Sequence, residues 1–198
     1  MKLPVMEQFY TIQGEGHFVG SAAYFIRLAG CDVGCVWCDV KESWHTEGYP
    51  VYTPEELAIE AAKHPASIVV VTGGEPAMYD LTELCDALHK QGKRVHIETS
   101  GAHPIRGDFD WVTFSPKKFK APLAEAASMA NELKVVVFNQ SDFKWAETHQ
   151  KDVPASCELY LQPEWSKKEK LHDAIVSYVK EHTDWKIGIQ SHKYIGVE

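Results

Sequence analysis

Long apolar runs, paired cysteines and a surplus of basic residues are all missing from this chain of 198 residues. No segment approaches the roughly 20 apolar residues that a membrane-spanning helix needs. Pro4, Glu7 and Gln8 interrupt the apolar core that a signal peptide would require. The expected location is therefore cytoplasmic. Lys and Arg number 20 against 28 Asp and Glu, for a formal net charge of −8. Proteins that grip nucleic acid through its phosphates show the opposite balance, so no nucleic-acid partner is expected and none in a membrane. The one basic cluster, Pro116-Lys117-Lys118-Phe119-Lys120, is short, and reads as a solvated or ligand-facing loop. The cysteines are five, an odd number, and three of them fall within the eight residues 31–38. Both features argue against a secreted disulfide framework. Repeats and low-complexity stretches are absent as well.

What the chain does have is an alternation of short β-rich apolar runs with helix patterns. The runs are 23–28, 68–71, 94–97, 111–114, 133–138, 158–161 and 186–189, several nearly continuous in apolar character, as in parallel strands covered on both faces. Between them, Thr53, Pro54 and Glu56 form a capping box with proline at the first helical position, ahead of Leu57, Ala61 and Ala62. Asp80 and Glu83 open a second helix that Gly92 closes, and Ser166 and Glu169 open a third. Weaker helices are expected over 121–130 and 142–149. Such alternation predicts an α/β fold with a parallel sheet. A full eight-fold barrel usually takes about 250 residues. The expectation is therefore a single domain over 1–198, built as an open, partial (β/α) barrel of about six parallel strands, with an open doubly wound sheet as the alternative. In either fold, ligands gather at the carboxyl ends of the strands. Those ends read Thr72-Gly73-Gly74-Glu75, Glu98-Thr99-Ser100-Gly101, Ser115-Pro116-Lys117, Gln162-Pro163 and Gln190-Ser191-His192, all polar.

The chemistry centres on Cys31-Asp-Val-Gly-Cys35-Val-Trp-Cys38. Thiolates are soft ligands suited to iron–sulfur clusters and to zinc. Gly34 gives this loop freedom to turn. Cys85 lies on the apolar stripe of a helix and Cys157 at the head of a strand, so neither completes a set of four. A closed structural zinc site normally has four protein ligands, and His45 would have to supply the fourth. An incomplete set is what a catalytic cluster needs, because its open iron must bind something else.

The spacing Cys-x-x-x-Cys-x-x-Cys, with an aromatic before the last cysteine, resembles the signature of the radical S-adenosylmethionine (SAM) superfamily. Thr72-Gly73-Gly74-Glu75-Pro76, after a strand, resembles its second mark; taken alone, the glycine pair would be a plain strand-to-helix turn. The resemblance implies a 4Fe-4S cluster held by Cys31, Cys35 and Cys38, whose fourth iron binds SAM. Reduction of the cluster splits SAM into methionine and a 5′-deoxyadenosyl radical.

Further segments narrow the resemblance. Tyr10-Thr11-Ile12-Gln13-Gly14-Glu15-Gly16, Phe25-Ile26-Arg27-Leu28-Ala29-Gly30-Cys31, Asn131-Glu132-Leu133-Lys134 and Gln190-Ser191-His192-Lys193-Tyr194 are similar to the 7-carboxy-7-deazaguanine synthase family across nearly the whole chain. That resemblance implies a lyase of queuosine and deazapurine biosynthesis. It converts 6-carboxy-tetrahydropterin to 7-carboxy-7-deazaguanine with loss of ammonia. It also implies a homodimer and a reducing partner such as flavodoxin. The implied substrate-binding residues are Ile12, Gln13, Gly14, Glu15, Arg27, Thr72, His192 and Glu198. Those on the SAM side are Trp37, Asp39, Gly74, Glu75, Thr99, Ser115, Lys117 and Gln162. Arg27 could grip a carboxylate bidentately or form a surface ion pair; His192 could equally be a surface residue, and Glu198 a frayed end. Lys134 has no assigned role. The family commonly places Thr or Ser after Cys38-Asp39 as a magnesium ligand, and this sequence has Val40, which lacks a side-chain oxygen. Either water and substrate supply the ligands, or the enzyme depends weakly on magnesium. Two alternatives stay open: an activase that places a glycyl radical on a partner protein, and a zinc-stabilised binding module.

Overall fold

A computed structural model describes residues 2–197; Glu198 lies outside the described residues. The elements, in chain order, are β1 (Leu3–Ile12), β2 (Ala22–Leu28), β3 (Val51–Tyr52), α1 (Pro54–Ala62), β4 (Ile68–Gly73), α2 (Thr82–Lys90), β5 (Arg94–Thr99), β6 (Trp111–Phe114), α3 (Ala124–Ser128), β7 (Glu132–Val137), α4 (Ser141–Gln150), β8 (Glu158–Pro163), α5 (Lys168–Glu181), β9 (Trp185–Ile187) and α6 (Ser191–Ile195). Among the described residues the sheet has nine strands, in the order β3-β1-β2-β4-β5-β6-β7-β8-β9. Pairing is parallel from β2 to β9 and antiparallel at β1 and β3. The two end strands do not pair, so the barrel is open.

The expected partial barrel is therefore present, with seven parallel strands rather than about six and two antiparallel ones added. β1 escapes a search for apolar runs because its pattern is mixed: only Leu3 and Val5 of its ten residues are buried. The seven expected runs coincide with strands to within two residues at each end. Thr53 forms the capping box with Glu56, an arrangement that contributes about 1 kcal/mol. The third helix begins two residues later than Ser166, because Glu164 caps a single 3-10 turn before it. α3 and α4 occupy 124–128 and 141–150. The short α6 had no helix signal in the sequence.

The strands are not uniformly apolar on both faces. Tyr24, Ile26, Leu28, Val69, Val71, Val95 and Ile97 turn outward and pack with Leu57, Ala61, Leu84 and Leu88 of α1 and α2. Leu133, Val135, Leu159 and Leu161 do the same against Phe143, Ala146, Leu171 and Ile175 of α4 and α5. The alternate residues point into the barrel, and many are polar: Arg27, Thr72, His96, Glu98, Thr113, Glu132, Lys134 and Gln162. Period-two alternation thus divides an apolar helix layer from a polar interior.

At the amino end of the barrel, Phe18 packs against His96 and Trp111, with ring centroids 4.6 Å and 4.9 Å away. Burial drives the pKa of His96 down to about 4, so it stays neutral in the fold, and its Nε2 has no partner among the described residues. The unfolded chain takes up a proton there below the ordinary value of 6.5, whereas the folded one does so only near 4. The contribution of His96 to stability is therefore full above 6.5 and shrinks as pH falls towards 4. Urea unfolding midpoints should fall over that window more steeply for the wild type than for His96→Phe. Parallel curves would show that His96 does not carry this dependence.

Candidate active site

All described residues of the expected site line one cavity of about 300 Å³ at the carboxyl rim. Parallel pairing explains the convergence. Register places Arg27 beside Thr72, while Glu98, Ser115, Lys134 and Gln162 sit on the inner faces or ends of neighbouring strands. The cavity floor comes from the opposite direction. β1 runs antiparallel to β2, so Ile12 pairs with Ala22 at the amino end, and the next residues, Gln13 to Glu15, enter the barrel from below.

The wall on the cysteine side is a loop that carries Cys31, Cys35 and Cys38, packed with Val33, Trp37 and Ala102. All three cysteines are free thiols. Burial pushes Cys31 upward and Cys35 up to about 11, with Lys117 opposing the shift at Cys35. Asp32 braces the loop, accepting from His103 Nε2 at 2.9 Å and from Lys120 Nζ at 2.6 Å. Cys85 and Cys157 are buried in the two helix-layer cores, away from the cavity.

The Gly73-Gly74-Glu75 turn lies against this loop by backbone contact. Gly74 N donates to Leu28 O at 2.9 Å and Glu75 N to Gly30 O at 2.8 Å. A Cβ on Gly74 would stand 2.3 Å from Gly30 O and 2.8 Å from Ser43 O, both backbone atoms, so only glycine fits. The Glu75 side chain is buried and bonded to its own fold: it accepts from Thr99 Oγ1 at 2.5 Å, Ser100 N at 2.8 Å, Ala77 N at 3.0 Å and Ser100 Oγ. It thereby fastens the β4 rim to the β5 rim.

The other residues anticipated on the SAM side are placed as follows. Ser115 Oγ donates to Lys134 O at 2.7 Å and accepts from Lys117 Nζ. Burial lowers Lys117 to about 8, and its ammonium lies 5.7 Å from the centre of the Trp37 ring. Gln162 is buried with its Oε1 unpartnered among the described residues, an acceptor left over at the cavity. Asp39 is exposed and pairs with Lys193 at 3.0 Å. The carbonyl of Val40 accepts from Ser43 N at 3.1 Å and Ser43 Oγ at 2.6 Å.

On the opposite side, Arg27 lines the cavity while its Nε donates to Glu7 Oε1 at 2.5 Å, so the two readings of this residue coexist. α6 reaches across to the floor. Ser191 N donates to Gly14 O at 2.8 Å, and a Cβ on Gly14 would stand 2.2 Å from the His192 ring. His192 is thus packed into the site.

Among the lining residues not singled out from the sequence as contacts, Glu98, Lys134 and Gln190 form one bonded set. Lys134 Nζ lies 2.5 Å from Glu15 Oε2 and 2.9 Å from Glu98 Oε2. Gln190 Nε2 donates to Glu15 Oε1 at 2.8 Å, and Gln13 Nε2 to Glu98 Oε1 at 3.2 Å. A signal did exist, because a lysine inside a strand as apolar as Glu-Leu-Lys-Val-Val-Val demands buried counter-charges.

Comparison with known proteins fits this geometry. The profile of the radical SAM superfamily matches residues 25–119, which contain the cysteine loop and the glycine turn. The 7-carboxy-7-deazaguanine synthase of Flavobacterium psychrophilum is 51% identical over 195 residues, covering 98% of this chain and 92% of that protein. The protein of the same name from Synechocystis is 48% identical over 194 residues, covering 98% and 93%. The crystal structure of QueE from Escherichia coli superposes with a TM-score of 0.88 at 33% identity, over 97% of this chain and 95% of that one. The fold is that of a radical SAM protein. Within that class, the chain belongs to the 7-carboxy-7-deazaguanine synthase family.

The residues present fit the group that this class carries. Three free thiols share one loop and one cavity, while Cys85 and Cys157 lie in the helix-layer cores. That is a set of three soft ligands beside open space, which suits a cluster with one iron left for another ligand better than a closed four-ligand zinc site. Magnesium fits poorly at position 40, where the side chain offers no oxygen and the carbonyl already accepts from Ser43.

Gly74→Ala should lower SAM affinity of the reconstituted protein by about tenfold or more and lower its melting temperature, since backbone must move. Gly20→Ala, where φ is +87° and a Cβ meets nothing within 4 Å, should cost only about 1–2 kcal/mol in stability and leave SAM affinity intact. Equilibrium binding and thermal denaturation would check both.

Proposed function

We propose that this chain converts 6-carboxy-tetrahydropterin to 7-carboxy-7-deazaguanine with release of ammonia, as a single radical SAM domain serving queuosine and deazapurine synthesis. The observation that carries this reading is the cavity itself: one wall bears three free cysteines and a glycine turn, and the floor bears an ordered amide–carboxylate set. Curated proteins that share half of its sequence bear the name of that activity.

When bound, the cluster and SAM would supply the radical chemistry that starts the reaction by removing a hydrogen atom from the substrate. The chain's own residues position and enclose. Cys31, Cys35 and Cys38 hold the cluster. Gly74 admits the SAM amino group close to backbone, Lys117 attracts its carboxylate, and the free Gln162 Oε1 accepts from one of its donors. Trp37 and Asp39 flank the adenine side. Thr99 and Glu75 act from behind, keeping two rim loops together. Gln13 and Glu15, with Ile12 and Gly14, meet the hydrogen-bonding edge of the pterin, Thr72 its side, and Arg27 its carboxylate. His192 closes over the ring from α6. Such a protein does little acid–base chemistry itself. No step is assigned to magnesium.

A one-electron donor of flavodoxin type would serve as the reducing partner, and the active unit would be a homodimer. The glycyl-radical activase is disfavoured by the relatives, which bear the name of the synthase at 51% and 48% identity over nearly the whole chain.

The test is anaerobic reconstitution with iron and sulfide, reduction, and addition of SAM with 6-carboxy-tetrahydropterin, followed by mass spectrometry for 7-carboxy-7-deazaguanine and 5′-deoxyadenosine. Product would establish the reaction. Deoxyadenosine without product would refute the substrate, and a protein forming neither would refute the class. Cys35→Ala should lose the cluster's visible absorbance and all product. Arg27→Ala should raise KM for the pterin by about tenfold or more with a smaller change in kcat, because a charged hydrogen bond is removed.

A further inference from the structure

Lys134 is unused in the mechanism above, yet it is the most heavily committed charge in the interior. Its side chain is 6% exposed, 2.5 Å from Glu15 and 2.9 Å from Glu98. Each of these carboxylates also orients a second group. Glu98 Oε1 accepts from Gln13 Nε2 at 3.2 Å, and Gln13 Oε1 in turn accepts from Glu15 N at 3.1 Å. The Gln13 amide can therefore point only one way, since a carboxylate only accepts and a backbone N–H only donates. Glu15 Oε1 accepts from Gln190. One ammonium on β7 thus fixes, directly or through a carboxylate, four side chains from three other segments: Gln13 and Glu15 in the loop after β1, Glu98 on β5 and Gln190 in the turn before α6.

We propose that Lys134 is a positioning residue for the substrate: clamped between Glu15 and Glu98, it keeps the cavity floor an ordered set of acceptors aimed at the donor edge of a 2-amino-4-oxo heterocycle. The proposal rests on the functional reading above and adds the residue that organises its recognition end. Two carboxylates present more acceptor sites than Lys134, Gln13, Gln190 and Gln162 occupy, and an N–H and NH2 edge can use the remainder. Without the ammonium, two carboxylates would repel each other in a poorly hydrated site, and one would take up a proton, becoming a donor where the ring also donates. The charged groups around the cavity are Glu132 on the same strand, Lys117 and Glu75 on the rim loops, Arg27 on β2, and Lys193 and the titratable His192 on α6. Arg27 is paired with Glu7, Lys193 with Asp39, and Lys117 is bonded to Ser115, so none of these cations stands in for Lys134 between the two carboxylates.

The experiment uses reconstituted holoenzyme. Lys134→Met should raise KM for 6-carboxy-tetrahydropterin by about tenfold or more, the cost of a charge-assisted network, while SAM affinity and deoxyadenosine formation without pterin stay within about twofold. Its KM should fall as pH rises from 6 to 9, as the extra proton is shed, whereas the wild-type KM stays flat. Lys134→Arg should recover most of the affinity. Should Lys134→Met fail to fold, Glu98→Gln tests the same network: it keeps the Lys134–Glu15 pair, releases Gln13, and should raise KM without touching SAM affinity. Unchanged KM in either variant, or SAM affinity falling in step with pterin affinity, would overturn the positioning role. A wild-type enzyme that makes no product from this pterin would overturn the functional reading and this proposal together.

Discussion

Parallel pairing from β2 through β9 is the constraint on which the site depends, because it sends every strand of the barrel proper towards the same rim. Residues more than a hundred positions apart in the chain, such as Arg27, Thr72, Lys117 and Gln162, become neighbours without any of them seeking the others. The antiparallel β1 has the complementary effect. It alone delivers its following loop to the amino end, and so the cavity has a floor distinct from its rim. Rim and floor then divide the chemistry, with cysteines and glycine backbone above and amides and carboxylates below.

The interior is polar at a cost that the exterior offsets. Outward residues of the strands form two continuous apolar layers with the helices, and these supply the main driving force for folding. The inner face can then carry Glu15, Glu98, Glu132 and Lys134. Burial opposes the charge on Lys134, but the three carboxylates outweigh it and raise its pKa; Lys134 in turn holds Glu15 well below the usual carboxylate range. Neither partner is tolerable alone, which is the usual condition for ions taken out of water.

Much of this was legible in the sequence where a local rule applies. Apolar runs marked the parallel strands, and a capping box marked α1. The spacing of three cysteines within one loop needs no tertiary information, since sulfurs three and four residues apart on a turning backbone share a face. Gly73-Gly74 was legible as a turn, but the backbone contact with Gly30 that forbids a Cβ at Gly74 was not, because it joins residues 44 positions apart. β1 was missed, having too mixed a pattern for a one-sided strand, and α6 was missed because five residues carry no periodicity.

The sequence by itself determined the class of chemistry, since thiolate spacing and residue type decide which metal group a loop can hold, and it determined the α/β alternation through patterns of local burial. Only the tertiary structure decided the recognition end. Whether Gln13 donates or accepts, whether Arg27 is spent on Glu7, and why a lysine stands in an apolar strand depend on partners that parallel pairing and the antiparallel β1 bring together. Those partnerships are set by distances across the barrel, and such distances leave no pattern in the spacing of residues along the chain.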